Sequence, residues 1–134
     1  MAGTADDLKR VDLFSGLSRR QLQKLASNFR ERRFAVGQEI VREGAMSGIG
    51  FFVVVEGEAK VSVRGRKVAS LGPGDYFGEF ALINESERTA TVTAQAEVRC
   101  LEIPFPDFRK FAHSNPDVTW KLLQHVASLA QSKT

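Results

Sequence analysis

Between Arg32 and Ile103 the chain offers only short apolar runs, and glycine interrupts them at close intervals. Phe34 and Val36, Ile40, Phe51 to Val55, Ala59 to Val63 and Val68 to Leu71 each have the length of a strand and not of a long helix. Ala59-Lys60-Val61-Ser62-Val63 alternates apolar and polar residues, the period of a half-buried strand. Gly37, Gly44, Gly48, Gly50, Gly57, Gly65 and Gly74 punctuate the runs and read as turn chemistry. Thr89 to Thr93 and Val98 to Ile103 continue the series. Many short strands with regular turns predict an all-β barrel or jelly roll.

Helical sequence flanks this region. Ser18 is placed to cap a helix over Arg19 to Phe29, and Gln21 completes the capping-box spacing. Leu22, Leu25, Ala26 and Phe29 give that helix one apolar face. A short helix is expected over Asp6 to Val11, with Met1 to Ala5 lacking regular structure. Pro104 and Pro106 end strand character, and Asp107 to Ala112 predicts a short helix. Pro116 suits the first turn of a last helix, on which Val118, Leu122, Val126, Leu129 and Ala130 form an apolar stripe. Lys121, Gln124, His125 and Ser128 lie mostly off that stripe. The expected class is mainly β with flanking α-helices. Residues 1–134 form one domain: an N-terminal helical segment (1–30), a β-roll (31–104) and C-terminal helices (105–134).

Composition excludes several classes of function. No apolar run approaches a membrane span, and the N-terminus lacks a signal-peptide pattern. Cys100 is the single cysteine, so no internal disulfide forms; this fits a reducing compartment and a cytoplasmic protein. Cys100 reads as a small core residue rather than a nucleophile. The net charge of +3 is mild. Its two basic clusters, Arg30-Arg32-Arg33 and Arg64-Arg66-Lys67, fall at strand edges or turns and read as solvated, with no direct nucleic-acid contact expected. The only histidines, His113 and His125, lie in the C-terminal helical region, so the roll has no imidazoles to hold a metal in the manner of a cupin. No nucleophile–base pair is evident, and neither enzymatic activity nor a cofactor is expected.

One stretch carries chemistry: residues 77–90, Phe-Gly-Glu-Phe-Ala-Leu-Ile-Asn-Glu-Ser-Glu-Arg-Thr-Ala. Gly78 lets backbone approach a ligand closely. Glu79 to Leu82 has room for one helical turn, whose free N–H groups favour an anion. Arg88 adds a planar fork of donors suited to phosphate. An acid, a helix start and an arginine within a dozen residues suggest a ligand with both hydroxyls and a phosphate. Glu85 and Glu87, beside Arg88, read as a solvated loop.

The string Phe77-Gly78-Glu79-Phe80-Ala81-Leu82, a short loop, then Arg88-Thr89-Ala90 resembles the phosphate-binding cassette of cyclic-nucleotide-binding domains. The resemblance covers nearly the whole chain. It implies an eight-stranded β-roll with an N-terminal helical segment and C-terminal hinge and lid helices. It implies that Glu79 accepts from the ribose 2′-hydroxyl and that Arg88 pairs with the cyclic phosphate. Backbone N–H groups of Gly78 and Ala81 would bind phosphate or sugar oxygens, and Thr89 would lie near phosphate and base. The ligand implied first is cAMP; Thr89 also permits cGMP, because its hydroxyl can accept from the guanine 2-amino group. Val126 and Leu129 are the expected lid residues, and Trp120 and Leu122 are expected to anchor the helix to the roll. A partner of the C-terminal helix, either an effector domain or a second copy forming a homodimer, would read the helix position. One departure is Ala45 to Gly50, which lacks the acidic residues often found in that turn. A ligand-independent interaction domain is the competing reading, and the presence of both Glu79 and Arg88 weighs against it.

Overall fold

The structure, a computed structural model, describes residues 3–44, 50–79 and 90–131. Its first helix, α1 (Gly3–Lys9), starts earlier than the sequence suggests. Leu8 and Val11 are buried in the core, and that docking supports the turn before them. A 3₁₀ turn (Asp12–Phe14) leads to α2 (Arg19–Ala26). The capping box at its start is complete: the Gln21 N–H donates to Ser18 Oγ at 3.1 Å, and the Ser18 N–H donates to Gln21 Oε1 at 2.8 Å. The helix ends at Ala26, short of Phe29, where Asn28 and Phe29 donate to carbonyls three residues back.

Eight strands follow among the described residues: β1 (Arg30–Phe34), β2 (Glu39–Val41), β3 (Gly50–Glu56), β4 (Ala59–Val63), β5 (Arg66–Leu71), β6 (Tyr76–Phe77), β7 (Thr91–Ala94) and β8 (Val98–Pro104). They form two antiparallel sheets, ordered β1-β8-β3-β6 and β2-β7-β4-β5. This is the roll architecture that the short, punctuated strands predict.

Strand β3 shows how the layers are built. Alternate side chains leave opposite faces of a strand. Phe52 and Val54 enter the core between the sheets with Phe34, Phe77, Val98 and Cys100. Phe51 and Val53 enter a second core with Leu8, Phe14, Leu25 and Phe108 from the helices. Buried on both faces, β3 therefore reads as a continuous apolar run. Gly57 follows it at φ +94°, and a Cβ there would lie 2.2 Å from the Glu97 carbonyl oxygen, so only glycine fits without backbone movement. Cys100 is fully buried, and loss of hydration pushes its thiol up to about 12, consistent with packing rather than reactivity.

The first arginine cluster is less solvated than its sequence suggests. Arg32 donates to Glu102 Oε1 at 2.7 Å, and Glu102 is only 4% exposed. On the other face of β8, Arg99 contacts Glu56 at 2.9 Å, Glu31 at 3.2 Å and Asp7 at 3.5 Å, tying α1 to the sheet.

The chain ends in α3 (Phe105–Ser114) and α4 (Pro116–Gln131). Helix α3 begins two residues before the predicted start, because Pro106 sits in its first turn, where proline lacks no needed N–H. Val118 and Leu122 bury one side of α4 in the helical core. Trp120, expected as an anchor, is 61% exposed. Two residues from Val118 places it about 200° around the helix, away from the face that packs.

Candidate functional site

Strand β6 has only two residues, and they are fixed in opposite directions. Phe77 pairs with Phe52 in register, and their rings stack at 4.9 Å. Tyr76 turns the other way and packs on Phe51 at 5.2 Å. Two hydrogen bonds fix the approach to β6: the Val54 N–H donates to the Asp75 carbonyl at 2.8 Å, and the Gly74 N–H to the Val54 carbonyl at 2.9 Å. The chain leaves β6 through Gly78 at φ +102°, a conformation that disfavours any side chain. Glu79 comes next, held by a rigid strand on one side.

These residues line a cavity of about 1220 Å³ between the second sheet and α4. Val61, Val63, Val68, Ala69 and Leu71, from β4 and β5, make an apolar wall. Phe77, Gly78, Glu79 and Ala90 lie on a second side. Lys121, Gln124, His125, Ser128 and Leu129 of α4 lie on a third. An apolar wall therefore faces a small set of polar groups, the usual composition of a small-molecule site.

Glu79 is 6% exposed. Its Oε1 lies 3.7 Å from His125 Nε2, an ion-pair contact longer than a good hydrogen bond. Its Oε2 is buried and has no hydrogen-bond partner among the described residues. A buried carboxylate oxygen without a donor is costly, so the position suits a ligand that brings one. The interaction with Glu79 holds the His125 imidazole above its ordinary pKa, against partial burial, which acts the other way. Burial, with the carboxylates of Glu79, Asp12 and Asp75 adding to it, pushes the Tyr76 hydroxyl well up, so it stays protonated.

Helix α4 is fixed at its near end. Lys121 Nζ donates to the Asp12 carbonyl at 3.0 Å and to Ser15 Oγ at 3.2 Å. Beyond that clamp, His125 packs on the Tyr76 ring with centroids 4.8 Å apart.

Of the residues singled out in the sequence, Phe77, Gly78, Glu79, Ala90 and Leu129 all line the cavity. Val126 is half-buried and is not on its wall. Phe80, Ala81, Leu82, Arg88 and Thr89 lie outside the described residues, as do Glu85, Glu87 and the 45–49 turn. The face of α4 toward the cavity is largely polar, with Leu129 its one apolar member among the described residues. Lys121, Gln124, His125 and Ser128 recur at helical spacing, a stripe the sequence displays but that reads as solvent-facing.

The profile of the cyclic nucleotide-binding domain matches residues 31–115. The cAMP-dependent protein kinase regulatory subunit of Schizosaccharomyces pombe is 36% identical over 104 residues, covering 77% of this chain and 25% of that protein. The cGMP-dependent protein kinase of Eimeria tenella is 39% identical over 88 residues, covering 66% of this chain and 9% of that one. Among solved structures, the regulatory domain of Toxoplasma gondii PKA with cAMP superposes with a TM-score of 0.80 at 30% identity, covering 93% of this chain and 48% of that one. The chain thus belongs to the cyclic nucleotide-binding domain family, and it spans about a quarter or less of the two curated relatives.

Proposed function

We propose that this chain is a non-enzymatic sensory module that binds a cyclic nucleotide, cAMP first, within one domain spanning 1–134. The observation that carries the reading is Glu79: a buried carboxylate with an unpartnered oxygen, next to a left-handed glycine, on the wall of a cavity with an apolar side. In this reading Glu79 accepts from the ribose 2′-hydroxyl, and Gly78 and Ala81 offer backbone N–H groups to sugar or phosphate oxygens. Arg88 pairs with the cyclic phosphate, while the valine wall of β4 and β5 takes the base. Phe77, Phe80, Leu82 and Ala90 shape the cassette around the ligand, and Thr89 lies beside phosphate and base. The relatives named for cAMP support that ligand, and the one named for cGMP keeps the second nucleotide in play through Thr89.

Ligand binding then repositions α4, with Leu129 and Val126 as the lid. A shift of this kind requires tighter binding to the capped arrangement than to the open one. The output passes to an effector domain or a partner chain contacting α4, with a protein kinase catalytic subunit favoured by the named relatives. A cytoplasmic location fits the lone, buried thiol, and among the described residues no helix is long and apolar enough to cross a membrane.

Titration calorimetry with cAMP and cGMP tests the reading. Saturable binding of at least one, with cAMP tighter, is expected. Binding of neither contradicts it.

A further inference from the structure

His125 joins α4 to Glu79 through an ion-pair contact, and its position is held from several sides. Lys121, one turn earlier, is occupied by the Asp12 carbonyl and Ser15 Oγ. The Tyr76 ring lies against the imidazole at 4.8 Å. The imidazole nitrogen Nε2 then lies 3.7 Å from Glu79 Oε1, on a carboxylate whose other oxygen, Oε2, is buried without a hydrogen-bond partner among the described residues. A sugar hydroxyl entering the cavity would seek the same carboxylate. Building on the nucleotide reading above, we propose that His125 competes with the ligand's ribose hydroxyl for Glu79, so that filling the site breaks this contact and frees the distal half of α4 to move to its capping position. The contact is an affinity-setting latch: it stabilises the empty arrangement and lowers apparent affinity by the cost of breaking it.

The surroundings make the latch sensitive to pH. Among the described residues, the titratable and charged groups lining the same cavity are Glu79, Tyr76 and Asp75 on and beside β6, Asp12 in the 3₁₀ turn, Lys121 on α4 itself, and Arg64 after β4. Among these described groups carboxylates outnumber cations, Lys121 is already engaged, and the Tyr76 hydroxyl remains neutral. The imidazole's pKa is raised by Glu79, so its protonated form is favoured in the latched state. A raised pKa gives stabilisation that is full below the ordinary histidine value and is lost as pH rises through the latched value. The latch therefore tightens in acid and loosens in base, and ligand affinity moves oppositely.

Two measurements on the full chain test this. The first needs no ligand: NMR titration of the two histidines in wild type and in Glu79→Gln, with His125→Gln used to assign the signals. His125 should titrate lower in Glu79→Gln than in wild type. An unchanged His125 pKa overturns the latch. The second is calorimetry with cAMP between about pH 6 and pH 8, a range that spans histidine titration. Wild-type affinity should rise across this range. His125→Gln should bind about fivefold more tightly than wild type at the acid end, the scale of one partly exposed ion pair, with a flatter profile. Equal affinities and equal pH profiles overturn the competition while leaving nucleotide binding intact. If neither protein binds cAMP or cGMP, the nucleotide reading fails and the competition with it, even where the NMR result shows the contact.

Discussion

Two glutamates are buried among the described residues, and they are buried differently. Glu102 lies at 4% exposure on β8 with Arg32 at 2.7 Å and Arg30 at 3.8 Å. Glu79 lies at 6% exposure beside β6 with one histidine at 3.7 Å and an oxygen that meets no donor. Burial of an acid is tolerated where partners replace the lost water. Glu102 meets that condition within the fold. Glu79 meets it in part, and it sits on the wall of the cavity rather than in a sheet surface. The completed pair is structural; in the proposed reading the incomplete one is where a ligand contributes.

Altering the completed pair should give the largest change in stability. Arg32→Ala leaves Glu102 with only the more distant and mostly exposed Arg30. Stability should fall by about 3 kcal/mol, the low end for a broken buried pair, because Arg30 can swing closer. Urea denaturation measures this, and affinity for cAMP should stay unchanged once the protein is folded. A loss of affinity without a loss of stability would reverse the roles given to the two glutamates.

On the ligand side, Arg88→Ala should leave the denaturation midpoint in place and weaken cAMP binding tenfold or more. A charge-assisted bond to phosphate contributes about 1.5–3 kcal/mol. Arg88→Lys should also be deficient, since an ammonium lacks the planar fork. Calorimetry showing wild-type affinity in a folded Arg88→Ala protein removes the cassette from the account.

A smaller effect is expected at Thr89. Replacing it with alanine should lower cGMP affinity by about 1 kcal/mol more than cAMP affinity, through loss of a neutral hydrogen bond to the guanine 2-amino group. Equal losses for the two nucleotides would assign Thr89 to phosphate contact or packing alone.

The contrast between the glutamates also separates what was legible in the sequence from what was not. Strand period and glycine spacing are local properties, and they carry the roll and the two-sided burial of β3. The capping box at Ser18 is equally local. Phe77, Gly78 and Glu79 were legible as site candidates because they open a string that resembles the phosphate-binding cassette, and all three line the cavity. The partners of Glu102 were not legible: Arg32 lies 70 residues away and reads as one of a solvated cluster. His125 escaped for a related reason. A polar stripe on an amphipathic helix looks the same whether it faces water or a cavity, and only the tertiary fold brings it to Glu79. Trp120 shows the converse, a large apolar residue that falls outside the packed face by helical phase.

The role given to Glu79 is tested most directly by comparing cAMP with 2′-deoxy-cAMP, in wild type and in Glu79→Gln, by calorimetry at one pH. Wild type should prefer cAMP by about tenfold or more, the size of a hydrogen bond to a charged acceptor. Glu79→Gln should lose most of that preference by binding cAMP less well, while its stability stays within about 1 kcal/mol of wild type. Equal binding of the two nucleotides by the wild-type chain would contradict the account, because the unpartnered carboxylate would then not be the group that receives the sugar.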